Sequence, residues 1–271
     1  MPHHAPVPAS ELAAISGRAP AWRPGLAKDG QLARHSEIFA SGREASGAAA
    51  ALALARDGLR AAESGTADSR ALLWVQDRAA LRLTGRPYRP GLPRELRHRL
   101  IHVVAEKPED ALFALEEGLR CRDLACVIGE IAGNPRALGF TASRRLSLAA
   151  ERHGVPLWLV RLDAGRDLSS ARLRWDVRAA PSAPPRWNRQ APGSPAWRAE
   201  LFRARAHPPG EWLLGEGEDA RLVFLPTSVR PEEGSTPDRS PGVNPSRRTG
   251  VARGFFETSL RSAQSLLRTN G

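Results

Sequence analysis

The chain is expected to fold as an α/β protein: a mostly parallel sheet flanked by helices, with antiparallel strands added at one edge. Three features lead there. Short segments between residues 36 and 162 are near-continuous apolar runs, the way strands buried on both faces of a parallel sheet read. Segments of helical character alternate with them, as parallel crossovers require. After residue 165 the pattern turns to period-two alternation, which marks a half-exposed strand.

The elements follow in order. Residues 1–33 mix Pro and Gly with little pattern and form an N-terminal extension, with a short helix around "ASELAAI". "EIFA" is the first strand, and "ASGAAAALALARDGLRAAE" is a long helix of strong helix formers. "RALLWVQ" and "LIHVVAE" are the second and third strands. "PEDALFALEEGLRC" is a helix with Pro108 in its first turn, where a missing N–H costs nothing. "LACVIGEI" is the fourth strand. "TASRRLSLAAERHG" is a helix capped by Thr141 and stopped by Gly154, and "VPLWLVRL" is the fifth strand. In "SARLRWDVRA", Ala171, Leu173, Trp175 and Val177 fall on one face, with Arg172, Arg174, Asp176 and Arg178 on the other. This strand is expected to be antiparallel and half-exposed. "AWRAELFRAR" and "ARLVFLP" extend the sheet, so the core spans 34–225. Residues 226–271 form a tail. Its first part, rich in Pro, Ser, Gly, Arg and Glu, reads as a disordered linker. Its end regains helical periodicity through Phe256, Leu260, Ala263 and Leu267.

Composition narrows the function classes. The formal net charge is +11 over 271 residues, and nearly all of the cations are Arg. Such a balance favours polyanionic or acidic partners, although heavy Ala, Gly and Pro usage points to coding bias as one origin. Cys121 and Cys126 make no CxxC pair and have no His at zinc-ligand spacing, so neither a disulfide framework nor a metal site is expected. No apolar run reaches membrane-spanning length and "MPHHAPVPAS" is not a secretory signal, so a cytoplasmic protein without membrane contact is expected.

The motif of interest is Gly42-Arg43-Glu44-Ala45-Ser46-Gly47, between a strand and a helix. This is the spacing and context of a phosphate-binding loop, in which glycines let backbone N–H groups wrap a phosphate at a helix N-terminus. The Lys that would reach the β and γ phosphates is Ala48, and the hydroxyl that would hold magnesium is Ala49. Two lost contacts at roughly 1.5–3 kcal/mol each weaken nucleotide binding by about two to four powers of ten. Glu44 adds a negative charge inside the loop, and Arg43 lies on the wrong side of the turn to replace the lysine. The bland alternative is a glycine-bearing strand-to-helix turn.

The order of elements over about residues 36–180 resembles the RecA-type recombinase core. "LACVIGEI" matches the apolar strand that ends in an acid, with Glu130 where that family usually has Asp. The loops "AGNPRALGF" and "RLDAGRDL" are much shorter than the DNA-binding loops of RecA. With the failed phosphate loop, and with "HSEIFA", "AEKPEDALFALEEGLR" and "GVPLWLVRL", the chain is similar to the ImuA family. That resemblance implies a non-catalytic accessory protein of SOS-induced translesion synthesis, nucleoid-associated on DNA damage. It would contact ImuB, an inactive polymerase relative, or RecA. It implies no ATP or magnesium cofactor. The alternatives are a weak DNA-dependent ATPase of recombinational repair and a sequence-independent DNA-binding module.

Other candidates are weighed against plainer roles. Glu130 either poises a magnesium or a water, or simply ends a buried strand, and the second is favoured. Arg136, Arg144, Arg145 and Arg166 lie at or beside the loops where RecA meets DNA, as phosphate contacts or as solvated arginines. Trp175, Trp187 and Trp197 interleave with arginines, a pattern that suits single strands, but Trp175 falls on an apolar face and belongs to the core. Cys121 and Cys126 are expected to be buried, and His98 and His102 to be structural. Phe255, Phe256, Leu260, Leu266 and Leu267 are the expected anchors of a partner-binding helix.

Overall fold

A computed structural model describes Leu26 and residues 34–62, 68–182, 184–185, 187–205, 207–217 and 221–225. The expected helices around 9–15 and at 254–271, and the linker between 226 and 253, lie outside them.

The fold is α/β. Nine strands form one sheet: β1 His35–Ala40, β2 Ala71–Asp77, β3 Leu100–Ala105, β4 Leu124–Ala132, β5 Leu157–Leu162, β6 Leu173–Ala180, β7 Ala196–Ala204, β8 Gly210–Glu216 and β9 Leu222–Leu225. Their order is β3-β2-β4-β5-β1-β6-β7-β8-β9. The pairs from β3 to β6 are parallel and those from β6 to β9 antiparallel. Among the described residues four α-helices pack on the sheet: α1 Ser46–Ala62, α2 Arg78–Thr84, α3 Pro108–Arg120 and α4 Phe140–His153.

Period two sorts each strand between two cores. On one face Ile38, Trp74, Ile128, Val160 and Trp175 meet the alanine-rich side of α1, where Ala51 and Ala55 are fully buried. Small residues let this helix lie close against the strands. On the other face Val75, Val127 and Leu159 meet Leu115 and Leu119 of α3 and Leu146 of α4. Burial of Leu115 and Leu119, both 0% exposed, contributes roughly 1.5–3 kcal/mol each.

Four local expectations are corrected. β6 is not antiparallel throughout, because it runs parallel to β1 and antiparallel to β7, where the sheet changes sense. Its polar face is not simply exposed either, since Arg174 is buried. Thr141 does not cap α4. The helix starts one residue earlier, and extended Gly139 takes the cap position with no side-chain bond, while Gly154 does stop the helix at φ 76°. Cys121 is exposed, because it sits at the C-terminal cap of α3 beyond the packed turn; only Cys126 is buried. Two further elements, α2 and β8, were not anticipated. Among the described residues no helix is long and apolar enough to cross a membrane.

Candidate functional site

The glycine loop joins β1 to α1, as the motif requires. What fills it is an acid of the same chain. Gly42 N–H donates to Asp163 Oδ1 at 3.0 Å, and Asp163 N–H donates to Ala40 O at 3.0 Å. Asp163 follows β5, the neighbour of β1, so the topology brings it to the loop across 121 residues. It is the one non-glycine residue with positive φ, 49°, among the described residues. A short polar side chain tolerates that conformation best.

The two glycines are explained by close approach. A Cβ on Gly42 would stand 2.7 Å from Asp163 Oδ2, and one on Gly47 would stand 2.7 Å from the Ala40 Cβ. Glu44 accepts from Ser46 Oγ at 2.8 Å and from Ala179 N–H at 3.3 Å, so the loop's remaining hydroxyl is already engaged. Arg43 is exposed, Ala48 packs beside the α1 core, and Ala49 is exposed on the first turn of α1. Two carboxylates, Asp163 and Glu44, therefore border a turn whose geometry would otherwise favour an anion.

Glu130 lies near the C-terminal end of β4, just before the fully buried Ile131, and is 1% exposed. Its Oε1 accepts from Trp74 Nε1 at 2.6 Å and Gln76 Nε2 at 3.2 Å, and its Oε2 from Thr84 Oγ1 at 2.9 Å. Burial raises its pKa, these three donors pull it back, and the charge of Asp77 adds to the rise. His102 Nε2 donates to Gln76 Oε1 at 2.8 Å, which makes a chain from His102 through Gln76 to Glu130. Asp77 itself caps α2 by accepting from Ala80 N–H at 2.6 Å. Among the described residues no group of three His, Cys, Asp or Glu is placed to hold a metal.

The four candidate arginines divide. Arg145 pairs with Glu116. Arg166 pairs with Glu200 at 2.6 Å and Asp176 at 3.0 Å, and lies 4.0 Å over the Phe202 ring. Arg136 and Arg144 are exposed. Trp175 and Trp197 are core residues, whereas Trp187 is exposed. The anchors Phe255, Phe256, Leu260, Leu266 and Leu267 lie outside the described residues.

The sequence reading missed a buried polar network on the α4 side of β1. Glu37, 0% exposed, accepts from Arg174 Nε at 2.7 Å and Ser169 Oγ at 2.7 Å, with Arg161 at 3.8 Å. The guanidinium groups of Arg161 and Arg174 lie over the Phe39 ring, 5.5 and 5.0 Å from its centroid. His35 Nδ1 bonds Ser147 Oγ at 2.7 Å, and Ser147, Ser170, Ser143 and Ser169 continue the hydroxyl chain. These hydroxyls seat the helix-free connection from β5 to β6 against α4. Burial, outweighing Glu37, pushes the His35 pKa down to about 4. A signal was present: Glu37, Arg161 and Arg174 are charges inside strand segments, and such charges are rarely buried unless paired.

No family model matches this chain. Over 159 residues it is 36% identical to Protein ImuA of Caulobacter vibrioides, in sequences from two strains. The matched stretch is 53% of this chain and 59% of each relative, so the chain spans somewhat more than half the length of the curated proteins it matches. Moderate identity over half the chain makes it similar to ImuA proteins.

Proposed function

We propose that this protein is an ImuA-like accessory factor of damage-induced mutagenesis that works through protein contacts rather than catalysis. Its partners would be an ImuB-like inactive polymerase relative, RecA, or both. The observation that carries this reading is the state of the glycine loop. It lacks the lysine and hydroxyl of a working phosphate loop, and its Gly42 N–H is engaged by the Asp163 carboxylate. The engagement of Glu130 supports it, since both of its oxygens already accept from side chains of the fold, Trp74, Gln76 and Thr84. Similarity to ImuA proteins supplies the process.

The test is a deletion strain scored for mutation frequency after ultraviolet damage and complemented with the full chain. The expected result is loss of induced mutagenesis on deletion and full rescue by the wild-type chain. Purified protein should show no DNA-stimulated ATP turnover. Turnover at recombinase-like rates that disappears in Glu130→Gln would overturn the non-catalytic reading, and unchanged mutagenesis on deletion would overturn the process.

A further inference from the structure

Beside α4, the face of the sheet that carries this helix opens into a cavity of about 150 Å3. It is walled by Phe140, Ser169, Ser170, Arg172, Arg203 and Arg205, and no carboxylate is among its lining residues. Several arginines elsewhere in the fold are neutralised by carboxylates. Arg145, Arg161, Arg166, Arg174 and Arg198 all meet carboxylates, and Arg172 does so through Glu151. Arg203 reaches only the Ser169 carbonyl, at 3.5 Å, and among the described residues Arg205 has no ion-pair or hydrogen-bond partner. Two positive charges thus border one opening without internal neutralisation.

The positions of these groups narrow what they recognise. Arg203 and Arg205 are two residues apart around the end of β7, so they stand about 7 Å apart along the strand direction. That is the scale of successive phosphates on an extended nucleic-acid strand. The cavity is well below the roughly 300–1,000 Å3 that encloses a small ligand, so it fits one phosphate group of a chain passing over it better than a whole free nucleotide. Phe140 opens α4 and is 50% exposed at the rim. An exposed ring can stack on an unpaired base but not on one inside a duplex. The N-terminus of α4, capped by Gly139 without a side-chain acceptor, adds partial positive charge on the same side.

We propose that this cavity holds the backbone of single-stranded nucleic acid, with Arg203 and Arg205 on successive phosphates and Phe140 stacked on a base. The site is distinct from the glycine loop, and the proposal does not depend on the accessory-factor reading.

The experiment is fluorescence anisotropy of the full chain with a labelled oligo-dT and with a labelled duplex, across a salt series. The wild type should bind the single strand with strong salt dependence, through counterion release. Arg203→Ala/Arg205→Ala should lose at least tenfold in affinity. Arg82→Ala/Arg86→Ala, which removes the same charge from exposed positions in and after α2, should lose less than about threefold. Phe140→Ala should lose about tenfold on the single strand and little on the duplex. Thermal melts show whether each variant folds, and single Arg203→Gln and Arg205→Gln variants replace the double variant should it unfold. Three results overturn the proposal: no binding by the wild type, equal losses in the two double variants, or equal losses by Phe140→Ala on single strand and duplex.

Discussion

Replacing Glu37 by Gln tests the buried network most directly. The side chain keeps its size, and its amide oxygen can still accept from Ser169 Oγ, now at 2.7 Å from Glu37 Oε1. What is lost is the negative charge between two guanidinium groups. Arg174 is bonded at 2.7 Å and its side chain is 4% exposed; Arg161 stands at 3.8 Å and is 2% exposed. Both cations would remain buried, and nearby Asp167 lies on Arg161 only at 3.7 Å. Breaking a buried pair by removing one partner costs about 3–5 kcal/mol, mainly the desolvation of the charge left behind. For a unit of this size, 1 kcal/mol moves the thermal midpoint by about 2–4 °C, so the expected fall is about 6–20 °C. Circular dichroism melts at neutral pH measure it. Arg198→Met is the control: its pair with Glu211 is exposed, at 67% and 52%, and breaking it should cost under about 1 kcal/mol. A fall of less than 3 °C for Glu37→Gln, or one matched by Arg198→Met, would refute the argument that this network is energetically coupled to the fold.

Other outcomes follow from the same geometry. Saturating ATP with magnesium should leave the thermal midpoint within about 1 °C, because a ligand stabilises only by RT ln(1 + [L]/Kd); Ala48→Lys/Ala49→Ser should not create binding until Asp163→Asn is added, and tight binding by the first pair alone would show that Asp163 does not close the loop. His35, lowered from 6.5 to about 4, binds its proton less readily folded than unfolded. Stability from this residue is therefore full above pH 6.5 and is lost as pH falls toward 4, by roughly 3 kcal/mol in all. Chemical denaturation at steps between those pH values should show that slope, and His35→Gln should flatten it. Deleting residues 227–271 should abolish binding of a recovered ImuB-like partner while moving the thermal midpoint by only a few degrees; a large drop in stability with partner binding retained would make the tail a structural strap.

Much of the architecture was legible because it depends on local pattern. Apolar runs such as "LACVIGEI" and "VPLWLVRL" can only be strands buried on both faces, and Pro108 and Gly154 bound their helices by backbone rules that act within a few residues. The two missing loop residues were equally plain, since Ala48 and Ala49 have no chemistry to offer a phosphate. The helix α2 escaped notice because seven residues are too few to show a period, and β8 because its half-exposed alternation is flanked by Gly and Pro. Which strands become neighbours is a different matter. It is set by how crossovers pack, so β6 could join β1 in parallel and β7 in antiparallel fashion only in the assembled sheet. That assembly alone placed Asp163 on Gly42, Arg174 on Glu37 and Arg203 beside Phe140, pairs separated by 121, 137 and 63 positions along the chain. A charge in a strand announces that a partner must exist, because burying it alone is too costly. The identity of that partner is decided by which strands the fold sets side by side.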